Sequence, residues 1–216
     1  MAKILHVKAS PRGSESFSCR LAEAFLDALL QIHKDFDVET LDLFEADIPE
    51  FRAPAAKAKY AVMGGSEPRD EAEAAWKSVI GAIAHFKSAD AYVVSSPMWN
   101  FGIPYRLKQY IDVIVQPGVT FSYSPQEGYS GLVTGKPLVL CLARGGAYGP
   151  GSGANAFDLQ KSYLETIFGF IGLTDIQTII VEPTLEKGHD AAEAALKKAT
   201  AKARKLAAGF SLPSAA

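Results

Sequence analysis

Five short runs dense in aliphatic residues punctuate the chain, and between them apolar residues return at helical spacing. Residues 3–9 hold Ile4, Leu5 and Val7 with no turn residue, as expected of a strand buried on both faces. The short run 38–43 reads as the second strand, and residues 91–95, 137–143 and 176–181 as three more. Helix faces are marked by Leu21, Phe25, Leu29 and Ile32, then by Trp76, Val79, Ile80 and Ile83. Leu107, Ile111, Ile114 and Val115 mark another, which Pro104 opens in a first-turn position that tolerates its missing N–H. Tyr163, Ile167, Phe170 and Ile171 mark the next. The last helix begins near Gly188, with Asp190 and Glu193 at its start and Lys202, Arg204 and Lys205 near its end, the polarity a helix dipole favours.

Two segments break the alternation. Residues 45–68 mix Pro and Gly with polar residues and read as a long, partly helical connection. Residues 119–135 hold Phe121, Tyr123 and Tyr129 around Ser124-Pro125-Gln126-Glu127-Gly128 and read as an irregular hairpin or flap. Strands alternating with helices predict an α/β fold: a five-stranded, mostly parallel sheet joined by right-handed crossovers and covered by helices on both faces. No repeat or linker divides the chain, so residues 1–216 are expected to form a single domain.

Composition narrows the function. Of 216 residues, 48% are hydrophobic and 21% charged, and the net charge of −2 makes no electrostatic case for nucleic acid or an anionic membrane surface. The basic residues of the last helix therefore read as a solvated face. No apolar run approaches the ~20 residues of a membrane span. Met1-Ala2-Lys3 leads into the first strand without a cleavable signal pattern, and Cys19 and Cys141 stand far apart without metal-type spacing. A cytoplasmic, reduced protein without structural zinc is expected. His6, His33, His85 and His189 have no Cys, Asp or Glu at ligand spacing, and no Gly-x-Ser-x-Gly elbow supports a hydrolase triad.

In an open parallel sheet, ligands sit outside the carboxyl ends of the strands, near the point where strand order reverses. Three loops there carry unusual chemistry. After the first strand, residues 10–18 bring Ser10, Ser16 and Ser18 around Phe17 at the start of a helix. Hydroxyls, backbone N–H groups and a helix N-terminus suit a phosphate, although Ser16 or Ser18 as a plain N-cap would also explain the pattern. The loop lacks the Gly-Lys-Ser/Thr of a Walker motif and the Gly-x-Gly-x-x-Gly of a dinucleotide turn. After the third strand, Pro97, Met98, Trp99, Asn100 and Phe101 set large apolar groups beside an amide, as a flat heterocycle with a polar edge requires. After the fourth, Ala143, Arg144, Gly145 and Gly146 offer a backbone that can approach a ligand closely, or only a turn.

In this order and spacing these segments resemble the bacterial FMN-dependent NADH azoreductases, within the flavodoxin-like quinone reductases. Gly118-Val119-Thr120-Phe121, the run from Gly131 through Lys136, and Phe168-Gly169-Phe170-Ile171-Gly172 extend the similarity over nearly the whole chain. The resemblance implies a flavodoxin-like fold and FMN as cofactor, with NADH or NADPH as electron donor and quinones and azo compounds as acceptors. It implies that Ser10, Ser16, Phe17 and Ser18 bind the FMN phosphate. Pro97, Met98, Trp99, Asn100 and Phe101 would cradle the isoalloxazine, and Ala143, Arg144, Gly145 and Gly146 would lie at its pyrimidine edge. Phe121 and Phe170 would shape the acceptor pocket across a homodimer interface. Trp99 stands where the family usually has Tyr, and Ala143 where it often has Ser. No acid–base side chain or metal is needed, because the flavin carries the hydride chemistry. The two half-reactions would share one site and give ping-pong kinetics. A flavodoxin-type electron carrier, or a nucleotide-binding subunit without flavin, stays open at this point.

Overall fold

A computed structural model describes residues 1–212. The main sheet has five parallel strands in the order β2-β1-β3-β6-β7, formed by Phe36–Asp42, Ala2–Lys8, Ala91–Pro97, Leu138–Ala143 and Ile176–Val181. Chain order reverses between β1 and β3, which places the switch point between the first and second of the loops singled out in the sequence.

Alternation along each strand builds two cores. Leu5, Val7, Tyr92, Val94, Leu138, Leu140 and Leu142 face one way and meet α3 (Glu71–Lys87), α4 (Tyr105–Ile114) and α5 (Leu159–Phe170). Ile4, Ala91, Val93, Val139 and Cys141 face the other and meet α1 (Phe17–Ile32) and α6 (Gly188–Ala208). The connection expected over 45–68 contains α2 (Ala53–Met63), packed on α3. Pro104 stands at the N-cap of α4, one place before the first turn.

The flap is a separate antiparallel hairpin, β4 (Phe121–Ser124) and β5 (Gly128–Gly131). Its root is held by backbone. Val133 N–H donates to Ile171 O at 2.8 Å, and a methyl group at Gly131 would overlap the Gly172 backbone. Gly172 itself has φ +110°, a conformation L-residues avoid. Lys87, the last residue of α3, donates to Val119 O at 3.0 Å. The flap therefore grows from the end of the molecule where α3 and α5 finish, opposite the carboxyl ends of the parallel strands.

Beneath the first loop, His6 is 3% exposed and its Nε2 lies 2.9 Å from Ser95 Oγ. Burial, helped by the Lys8 charge and opposed by Asp42, pushes its pKa from 6.5 down to about 4. The unfolded chain thus takes up a proton between pH 6.5 and 4 that the folded chain refuses. Folded stability is lost as pH falls through that window, by roughly 3 kcal/mol in all. Glu39, held low by Lys3 and then by His85, adds an acid-side loss below the ordinary carboxylate range. His6→Gln should flatten the stability–pH curve between pH 6.5 and 5 in urea titrations. An unchanged slope there would assign the acid sensitivity to other groups.

Candidate active site

The strand-top loops converge on one cleft of about 190 Å³, lined by Ser10, Arg12, Ser16, Phe17, Pro97, Met98, Trp99, Ala143, Gly145, Thr184 and Leu185. Ser16 occupies the N-cap of α1, yet its hydroxyl makes no capping bond. It lies 3.0 Å from the hydroxyl of Ser18, which is buried directly behind it. The N–H groups of Phe17, Ser18 and Cys19 have no partner among the described residues. Two hydroxyls bonded only to each other and three free amides at the positive end of a 16-residue helix form a site for an anion, which the plain cap reading does not account for.

The β3 loop turns sharply above the cleft. Trp99 and Gly102 exchange both backbone hydrogen bonds, at 2.9 and 3.2 Å, around Asn100 and Phe101. Those two residues have φ +49° and +68°, the left-handed pair that a two-residue type I′ turn demands. An aromatic residue there is strained, and such strain collects where a loop must hold one shape. Phe101 stacks on Phe157, with centroids 5.0 Å apart, and its carbonyl accepts the Leu159 N–H. Trp99 packs edge-on against Phe44, at 5.9 Å, and close to Tyr105. Asn100 lies with Trp99 and Tyr105 on a neighbouring open groove, outside the enclosed cleft.

After β6, the N–H groups of Gly145 and Gly146 have no partner among the described residues. Gly145 lies against Leu185, where a Cβ would sit 3.1 Å from the leucine Cδ1. Arg144 departs from its expected place on the cleft wall. Its side chain is fully buried in a network with Asp158, and its N–H is taken by Val181 O. Phe121 and Phe170 also lie away from this cleft. They pack on each other at 4.7 Å where the flap meets the end of α5, whose first residue, Leu159, is bonded to the Phe101 carbonyl. A 12-residue helix separates the two places by about 18 Å.

Arg12, Thr184 and Leu185 are cleft residues without a sequence signature. Thr184 and Leu185 belong to the loop after β7 and reach the cleft because β7 lies beside β6 at the sheet edge. The carboxyl-end rule alone points to that loop, and its residue types do not.

The matching protein-family model is described as having a flavodoxin-like fold, and it covers residues 2–207. The chain belongs to this flavodoxin-like family. Among its relatives is an FMN-dependent NADH:quinone oxidoreductase of Nitratidesulfovibrio vulgaris (strain DP4), 51% identical over 97% of this chain and 100% of the relative. The solved azoreductase from Bacillus anthracis str. Sterne superposes with TM-score 0.87 at 32% identity, covering 97% of this chain and 100% of that one. A second solved member, an FMN-dependent NADH-azoreductase from Bacillus anthracis str. Ames Ancestor in complex with FMN, superposes with TM-score 0.83 at 26% identity, over 96% and 100%. Among the described residues of this flavodoxin-like chain, no helix is long and apolar enough to cross a membrane.

Proposed function

We propose that this protein is an FMN-dependent NADH:quinone oxidoreductase that also reduces azo compounds. The observation that carries the reading is the convergence, at the switch point of the sheet, of an anion site at α1 with the aromatic β3 loop and two unpartnered glycine amides. These residues fit FMN: Ser10, Ser16, Ser18 and the first amides of α1 for its phosphate, Pro97, Met98 and Trp99 for the ring face, Gly145 and Gly146 for a polar ring edge. Bound FMN would supply the acceptance and release of hydride.

The chain's own part is to hold, orient and shield. The enclosed space of about 190 Å³ falls below the ~300 Å³ at which ligand pockets usually begin, so one chain leaves much of a bound ring system open. That opening admits the nicotinamide and the acceptor in turn, which gives ping-pong kinetics. The relatives' names favour NADH. Arg144 is buried, so it does not stand free to hold a 2′-phosphate.

A homodimer completes the site. Tyr123 and Tyr129 are 62% and 65% exposed beside half-buried Phe121 and Phe170, an aromatic patch that soluble monomers rarely leave uncovered. Because this patch cannot reach its own cleft, a pocket role for Phe121 and Phe170 requires a two-fold partner.

The purified protein should be yellow with FMN and should oxidise NADH when a quinone is added. Colourless protein that FMN does not reconstitute would overturn the reading; flavin without NADH turnover would favour an electron carrier. Trp99, which lines the cleft, forms a three-ring cluster with Phe44 and Tyr105. Trp99→Tyr should therefore reorder steady-state kcat/KM across a panel of quinones and azo compounds while FMN affinity changes less than threefold. An equal loss for every acceptor would reduce Trp99 to a support for its loop.

A further inference from the structure

Arg144 is the bulkiest of the fully buried side chains. A charged group is seldom buried unless its hydrogen bonds are met. Here Nη2 donates to both carboxylate oxygens of Asp158, at 2.7 and 2.8 Å. Nε donates to Gln160 Oε1 at 3.2 Å, and Nη1 to Glu182 Oε2 at 3.4 Å. Each partner leads to a different segment of the chain. Asp158 caps α5 by accepting the Lys161 N–H. Gln160, wholly buried, donates through Nε2 to the carbonyl of Ser96, one residue before Pro97. Glu182 also accepts the Tyr148 N–H from the glycine-rich loop. The Arg144 carbonyl accepts both the N–H and the hydroxyl of Thr184, at 2.8 and 2.9 Å. One residue thus ties together the loops after β3, β6 and β7, and the two unpartnered amides of Gly145 and Gly146 follow it directly in the chain.

We propose that Arg144 is a positioning residue for flavin chemistry: its buried guanidinium fixes the Gly145–Gly146 turn so that the two amides bond the flavin's polar edge, more tightly when that edge gains charge on reduction. The proposal rests on the FMN reading above. Lysine cannot replace the arginine, because a single ammonium cannot meet the acceptors of Asp158, Gln160 and Glu182 with the fixed fork of a guanidinium.

Arg144→Lys should weaken binding of reduced FMN about tenfold more than that of oxidised FMN. The two-electron potential of the bound flavin should then fall by about 30 mV, the tenfold equivalent for two electrons. Asp158→Asn keeps an acceptor for the α5 cap but loosens the hold on Nη2, so it should lower the potential by less than Arg144→Lys does; loss of the carboxylate charge alone would raise it, so a fall reads the loosened turn. FMN affinity is read by fluorescence quenching, potential by dye-coupled titration, and apoprotein stability by thermal unfolding, on wild type and both variants. Lower thermal stability with an unchanged potential would make the network purely structural and overturn the proposal. If Arg144→Lys does not fold, the potential of Asp158→Asn decides, and a wild-type value sinks the idea. Wild-type protein that binds no FMN would bring down the functional reading and this proposal together. Wild-type binding with wild-type potentials in both variants would remove only the role of Arg144.

Discussion

Replacing Ser16 and Ser18 together by alanine should weaken FMN binding on the order of 100-fold and leave the fold standing. Both hydroxyls are buried, and each is the other's partner at 3.0 Å. Removing one alone strands the other, which costs about 1–3 kcal/mol; removing both leaves no orphan. Ser16 makes no capping bond, so its loss does not carry the usual ~1 kcal/mol cost to the helix. Toward a phosphate, each hydroxyl would give a charge-assisted bond worth about 1.5–3 kcal/mol, and two at the low end reach the hundredfold range. Fluorescence titration of apoprotein with FMN measures the loss, and thermal unfolding without FMN checks the fold. Unchanged FMN affinity in the double variant would refute the phosphate assignment.

Activity should depend on a partner subunit, and Phe121→Ala should damage the neighbour's site. In its own chain, Phe121 packs on Phe170 and Tyr129 at the end of the molecule away from the cleft. Subunits carrying Phe121→Ala can be mixed with subunits carrying the Ser16/Ser18 double substitution. If flap and cleft act across the interface, each mixed dimer holds one site with both defects and one with neither. Dimers formed from two inactive parents should then recover up to half the wild-type turnover per dimer. No recovery, with exchange confirmed by differential tagging, would place the flap's effect within its own chain. Sedimentation at assay concentration gives the independent check, since a fully active monomer would end the dimer reading.

The central strands β1, β3 and β6 were legible because they are buried on both faces and rich in aliphatic residues, a signal that survives without context, whereas the half-exposed edge strands β2 and β7 were marked by shorter or mixed runs. The flap was legible as a hairpin because its turn residues lie between aromatics. Two site features lie beyond such reading. Arg144 sits among cleft-loop residues in sequence, but its direction depends on Asp158 and Glu182, which only the tertiary fold brings within reach. Thr184 and Leu185 carry no composition that marks them, and only the adjacency of β6 and β7 delivers them to the cleft. Ser16 stands between these cases: its place at a helix start is local, whereas its freedom from capping appears only in three dimensions.

The two ends of the flap differ in what they would allow a protein engineer. At the tip, Pro125, Gln126 and Glu127 are exposed, so residues there can be exchanged or the loop lengthened at little cost to the domain. At the root, position is set by the lack of atoms: Gly131 and Gly172 meet backbone to backbone, and no side chain has room between them. If the flap covers a partner's cleft as proposed, variation aimed at acceptor range belongs in the tip and in the exposed faces of Tyr123 and Tyr129, with the glycine junction kept as the fixed mount on which any replacement hairpin is carried.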